Sequence, residues 1–300
     1  MKTILMFTTV VFAMVAARAS AALEVFACEP EWAALAGELG GNLVNAESAT
    51  TPQQDPHYIQ ARPSLIAKVR RAGLVLCTGA DLEVGWLPLL LRQAGNASVQ
   101  PGQPGYMTAS DYVDLLDKPA SLDRSLGDVH PYGNPHIQTD PRNIGKVAAA
   151  LAERLAMLDP ANAATYRSRY AEFQSRWQSA LDRWTAAIVP LRGRQVVTHH
   201  KGWVYLESWI GLVEVGNLEP KPGLPASAAH LAELLEQLQS KQVAVIIRSV
   251  YEDGKASEWL AGRTSIPYVV LPHTVGSVPG ADDLFGMFDV IVRTLSETHP

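Results

Sequence analysis

From Ala161 to Ile188 the chain runs 28 residues without a proline or a glycine. At 1.5 Å per residue such a stretch makes a helix of about 40 Å, enough to span a small domain. Helical patterning also precedes it, from Pro141 to a break at Asp159-Pro160. Pro160 can open the second piece, because its fixed φ and missing N–H suit a first helical turn. Tyr166, Tyr170, Phe173, Trp177 and Trp184 recur at spacings of three, four and seven and fall along one stripe, which reads as packing rather than as a ligand site.

Short apolar runs alternate with helical patterns on both sides of this stretch. Before it, Leu23 to Ala27, Asn42 to Val44 and Leu74 to Cys77 read as strands, and Pro30 to Leu39, Ser64 to Arg71 and Trp86 to Ala94 as helices. After it, Gln195 to Thr198, Val243 to Ile247 and Tyr268 to Leu271 read as strands. Val204 to Gly211, His230 to Gln239, Ala256 to Leu260 and Asp282 to Thr294 read as helices. This alternation builds parallel sheets covered on both faces. The expected fold is therefore α/β: two Rossmann-like lobes with parallel sheets joined by one long rigid helix, with a ligand site in the interlobe cleft. The expected divisions are a signal peptide over 1–21, an N-terminal lobe over 22–140, a helical region with the linking helix over 141–190 and a C-terminal lobe over 191–300.

Lys2, the apolar run Ile4 to Ala17 and the small residues Ala19-Ser20-Ala21 have the layout of a cleavable export signal. That run is too short for a permanent span, and Cys28 lies too far inside the mature chain for a lipid anchor, so a soluble periplasmic protein is expected. A formal charge of −5 with no block of Lys or Arg offers no footprint for nucleic acid or an anionic membrane. The only two cysteines, Cys28 and Cys77, lack a CxxC spacing and read either as a disulfide of an oxidising compartment or as two buried thiols.

Several of the eight histidines lie in loops where a strand hands over to a helix, the place where α/β folds carry function. His57 follows Asp55-Pro56, and Pro52 and Pro56 stiffen its loop. His130 and His136 stand in a Pro- and Gly-rich loop that ends at Asp140-Pro141, a rigid setting that suits imidazole ligation of Zn²⁺. His199 and His200 follow the opening strand of the second half; in extended backbone their rings point to opposite sides, so His200 is placed in the cleft and His199 against the core or behind the site.

The ordered set resembles the solute-binding proteins of zinc and manganese ABC importers, the group called cluster 9 or A-I. An Asp-Pro-His-type loop matches His57, an Asn-Pro-His loop before the backbone helix matches His136, and a His-x-x-aromatic-x-Tyr motif matches His200, Trp203 and Tyr205. The resemblance covers the mature chain and implies high-affinity Zn²⁺ capture in the periplasm, with delivery to the membrane permease of an ABC importer and no catalysis. Relatives usually supply a carboxylate as fourth ligand, whereas here His273 stands at or near that position, with Glu252, Asp253 or water as substitutes and His130 and His199 as accessory groups. An imidazole-rich set favours Zn²⁺ over Mn²⁺. The first lobe has no His between Thr78 and Ser125 and so lacks the family's His- and acid-rich loop, a role that is either absent or supplied by a separate partner such as a periplasmic zinc metallochaperone. A monomer is expected.

Other readings are a binding protein for Mn²⁺ or for a metal chelate and a zinc hydrolase with Asp55 or Glu252 as base. The chain carries neither HExxH nor GxSxG, the motifs of the common hydrolases.

Overall fold

The computed structural model describes residues 21–119, 127 and 130–298. The expected export signal, save Ala21, and His299 lie outside the described residues.

The N-terminal lobe is built from β1 (Leu23–Ala27), α1 (Pro30–Gly40), β2 (Val44–Ser48), α2 (Pro63–Arg71), β3 (Leu74–Cys77), α3 (Leu87–Ala94) and β4 (Tyr106–Thr108). Then come α4 (Pro141–Leu158) and α5 (Ala163–Ala187). The C-terminal lobe contains β5 (Gln195–Thr198), α6 (Val204–Ile210), β6 (Val213–Asn217), α7 (Ala228–Leu238), β7 (Val243–Arg248), α8 (Lys255–Thr264), β8 (Tyr268–Val270) and α9 (Leu284–Glu297). The sheets run β2-β1-β3-β4 and β6-β5-β7-β8, with every pairing parallel. Each order reverses beside its first strand, between β1 and β3 in one lobe and between β5 and β7 in the other. Loops at the C-terminal ends of strands flanking such a reversal open a crevice that binds ligands.

The α/β expectation holds, with three local differences. β4 and β6 went unread, and the second strand, Val44–Ser48, begins at Val44 rather than at Asn42, because Asn42 and Leu43 belong to a 3₁₀ turn, Gly41–Leu43. β2 is an edge strand whose Asn45 and Glu47 are exposed, so it lacks the apolar run that marks a central strand.

Strand alternation explains how the lobes meet. Val25 and Ala27 of β1, Val196 of β5 and Val245 and Ile247 of β7 all enter one core, while Phe26, Val197 and Ile246, each one residue out of phase, enter separate outer cores under α2–α3 and α7–α8. The first core thus runs through both lobes without interruption, and α5 lies along it. Tyr166, Phe173, Trp177 and Trp184 are buried there, and each large aromatic contributes on the order of 2–3 kcal/mol by leaving water. Trp184 donates to Asp289 of α9 at 2.6 Å, Trp177 to the Pro141 carbonyl at 2.9 Å, and Arg169 to the Gly40 carbonyl at the end of α1. One helix is therefore bonded to both lobes.

Cys28 and Cys77, at the C-terminal ends of neighbouring strands, form a disulfide with Cα atoms 4.7 Å apart. Of the two readings the sequence left open, the paired one is the structure's.

Candidate metal centre

His57 is set by its own loop. Asp55 Oδ1 accepts from the His57 backbone N–H at 2.9 Å and lies 2.7 Å from Nδ1, so it fixes both the loop and the ring. The Pro56 carbonyl between them accepts from the indole of Trp86 at 2.9 Å. With the proton on Nδ1, the lone pair stands on Nε2, which is buried and without a hydrogen-bond partner. Burial works to raise the Asp55 carboxyl, but the bond and charge of His57 outweigh it and hold the group below the usual range.

His136 is set by Asn134. The Asn134 side-chain oxygen accepts from the His136 N–H at 3.0 Å, and its amide group donates to the Lys201 carbonyl at 2.6 Å, tying the loop before α4 to the loop after β5. Tyr205 completes the clamp by donating to the Asn134 carbonyl at 2.6 Å and accepting from Leu116 N–H at 3.0 Å. Four residues beyond His136, Asp140 caps α4 by accepting from Arg142 N–H at 2.8 Å.

His200 follows β5, and its Nδ1 lies 2.7 Å from Glu219 Oε2, the carboxylate oxygen that also accepts from Gly223 N–H at 2.9 Å. Gly202 lies against the rings: a Cβ there would stand 3.3 Å from Cδ2 of both His136 and His200. The position holds glycine because the two imidazoles take up its side-chain space.

The three rings converge. Their ligand nitrogens all lie within 4.8 Å of one another, and His136 Nε2 stands 3.3 Å from His200 Nε2. Two nitrogens on a tetrahedral zinc at about 2.05 Å are about 3.3 Å apart, so this pair already has the spacing of two ligands on one ion. Ring centroids are 5.3 Å apart for His57 and His136 and 5.7 Å for His57 and His200. Burial, then the neighbouring imidazoles, push His136 well below its usual pKa, which leaves it neutral and able to ligate. Burial pulls the same way at His200, but Glu219, Glu252 and Asp55 outweigh it and raise that pKa.

His273, Glu252, Asp253, His130 and His199 fall outside the three-imidazole group. His273, after β8, is buried with Nδ1 unpartnered, and burial pushes its pKa down to about 3. Glu252, after β7, accepts from Ser249 N–H at 2.6 Å through one oxygen and leaves the other unpartnered. Burial raises its carboxyl to about 7. Asp253 is exposed and paired with Lys255. His130 lies beside His57 with ring centroids 5.4 Å apart. His199 is buried behind His200, its N–H donated to the Ile247 carbonyl at 2.8 Å.

The sequence reading missed Glu219, Asn134, Gly202 and Tyr251, whose ring meets His273 edge-on at 4.7 Å. Glu219 stands just past β6, the unread strand; Asn134 carried a signal of its own, standing before Pro135 in a loop that holds two histidines.

Residues 25–298 match the family described as zinc-uptake complex component A, periplasmic. The zinc-binding lipoprotein AdcA of Streptococcus pneumoniae R6 is 24% identical over 236 residues, which are 76% of this chain and 44% of that protein. The chain thus spans less than half the length of AdcA. The high-affinity zinc uptake system protein ZnuA of Paracoccus denitrificans is 22% identical, with 89% of this chain and 88% of that protein covered. A ZnuA crystal structure has the same fold, with a TM-score of 0.78 at 20% identity over 93% of this chain and all of that one. A loop-borne histidine cradle between two parallel sheets and a family match over nearly the whole described chain agree, and the protein belongs to the periplasmic zinc-uptake component A family.

Proposed function

We propose that the chain captures Zn²⁺ between its lobes through His57, His136 and His200, with His273 as the fourth ligand, and delivers it to the membrane permease of an ABC importer. The observation that carries this reading is the convergence of three imidazoles at the nitrogen spacing of a tetrahedral ion. Asp55 and Glu219 hold the remote nitrogens of two of them, so Nε2 is the nitrogen turned inward. An all-imidazole set favours Zn²⁺ over Mn²⁺, and the relatives named above are zinc proteins.

Four protein ligands close the coordination sphere and leave no open position for a reactive water, so the function is capture without catalysis. Among the described residues no helix is long and apolar enough to cross a membrane. The protein works as a monomer exported to the periplasm and receives part of its zinc from a metallochaperone.

Titration with Zn²⁺ against a competing chelator tests the reading. Submicromolar affinity, lost in His57→Ala and in His200→Ala, is expected; micromolar or weaker affinity in the parent protein would sink it. Anomalous scattering at the zinc edge from crystals of the loaded protein then identifies the ligands.

A further inference from the structure

A second group of ligand-type atoms sits apart from the histidines. Cys28, Cys77 and Glu83 place two sulfurs and a carboxylate oxygen within 4.8 Å of one another, and all three residues are buried. They stand at the reversal of the first sheet, at the ends of β1 and β3. The matching place in the second sheet, at the ends of β5 and β7, carries His200 and Glu252.

The surroundings are those of a cation site. Glu83 is aimed by the backbone: its Oε1 accepts from Thr78 N–H at 2.7 Å and its Oε2 from Gly79 N–H at 3.1 Å. Glu29, the neighbour of Cys28, accepts from the Thr78 hydroxyl at 2.9 Å through Oε2, while its Oε1 is buried and unpartnered. Glu29 also lines a small cavity together with Glu31, Gln54, Leu82 and His273.

We propose that reduction of the Cys28–Cys77 disulfide turns Cys28, Cys77 and Glu83 into a second metal site, separate from the histidine cradle, that takes Zn²⁺ or another thiophilic divalent ion. The reductant is a dithiol. Its two sulfurs close to a disulfide and release two electrons and two protons, and the Cys28–Cys77 bond breaks and takes up both, giving two thiols. The ion then displaces the thiol protons and binds two thiolates. Tetrahedral thiolates at about 2.3 Å from zinc stand about 3.8 Å apart, a separation that two cysteines reach by side-chain rotation alone from Cα atoms 4.7 Å apart. Glu83 supplies the third ligand and the free oxygen of Glu29 the fourth. The oxidised chain then has one metal site and the reduced chain two.

Cd²⁺ titration of the full chain, oxidised and after anaerobic reduction with a trialkylphosphine, tests this. The reduced protein is expected to bind one more equivalent than the oxidised protein and to show an ultraviolet thiolate-to-cadmium charge-transfer band. That equivalent and the band persist in His57→Ala, which separates this site from the cradle, and are lost in Cys77→Ser. Glu83→Gln weakens them by at least about tenfold, because a lost ligand costs no less than a lost outer partner. Equal stoichiometry in the two redox states, with no band from a folded reduced chain, overturns the proposal. Unfolding on reduction, seen by circular dichroism, overturns it equally, because the site requires a folded reduced lobe. Failure of the oxidised protein to bind its first equivalent would instead count against the cradle and leave this result readable.

Discussion

Glu219→Gln isolates one charge behind the proposed metal site. Glu219 Oε2 lies 2.7 Å from His200 Nδ1, with both side chains nearly buried. In the loaded state His200 would bind zinc through Nε2 and donate its Nδ1 proton to Glu219. Glutamine keeps an acceptor oxygen there but loses the charge. A hydrogen bond to a charged group contributes roughly 1.5–3 kcal/mol and a neutral one roughly 0.5–1.5, so the substitution removes about 1–1.5 kcal/mol, close to tenfold in affinity. That loss appears in full only at alkaline pH. In the empty protein Glu219 helps raise the His200 pKa above its ordinary 6.5. As pH falls through that raised pKa, zinc must expel a proton that Glu219 itself holds in place. The glutamine variant has a lower His200 pKa and less to expel, so its deficit shrinks as the solution is acidified. Zn²⁺ competition titrations from about pH 8 to about pH 6 are expected to show a gap near tenfold that narrows toward acid. A gap that stays constant or widens toward acid, or parity at the alkaline end, would refute the reasoning.

The fourth ligand separates by mutation: His273→Ala is expected to weaken zinc binding by about tenfold or more while Glu252→Gln leaves it within a few-fold, and the reverse order by calorimetry would move the assignment to Glu252. Replacing both cysteines with serine releases a loop of 49 residues and is expected to cost about 4 kcal/mol in urea unfolding, within the stability of an ordinary domain; a cost near zero would show that the bond constrains little. Because one core and α5 run through both lobes, small-angle scattering is expected to show almost the same radius of gyration with and without zinc. A large contraction on loading would contradict that picture.

Much of this was legible in the sequence because the signals were periodic or punctuated. β1 and β3 are buried central strands and read as apolar runs, and α5 announces itself by length and by its aromatic stripe. The three converging histidines stood out because prolines flank His57 and His136 and a strand precedes His200. β4 is only three residues long and β6, Val-Glu-Val-Gly-Asn, has a glycine where a side chain would meet Leu234, so neither carries an apolar run. The residues that aim the histidines were invisible for a different reason. Glu219 lies 19 positions from His200 and Asn134 acts on Lys201 67 positions away, and no local pattern reports such distances.

The core that joins the lobes also bears on how an ion would leave. Where two lobes swing apart, unloading is one motion that strips all ligands at once. Here the lobes share one apolar interior, and parting them would expose Val25, Val196 and Trp184 to water together. On the proposed ligand set, ions would leave by successive loss of single ligands, each on its own loop, with rebinding competing at every step. Such an ion would stay long on a free carrier, and a membrane receptor would speed its departure by displacing one loop rather than by opening the molecule.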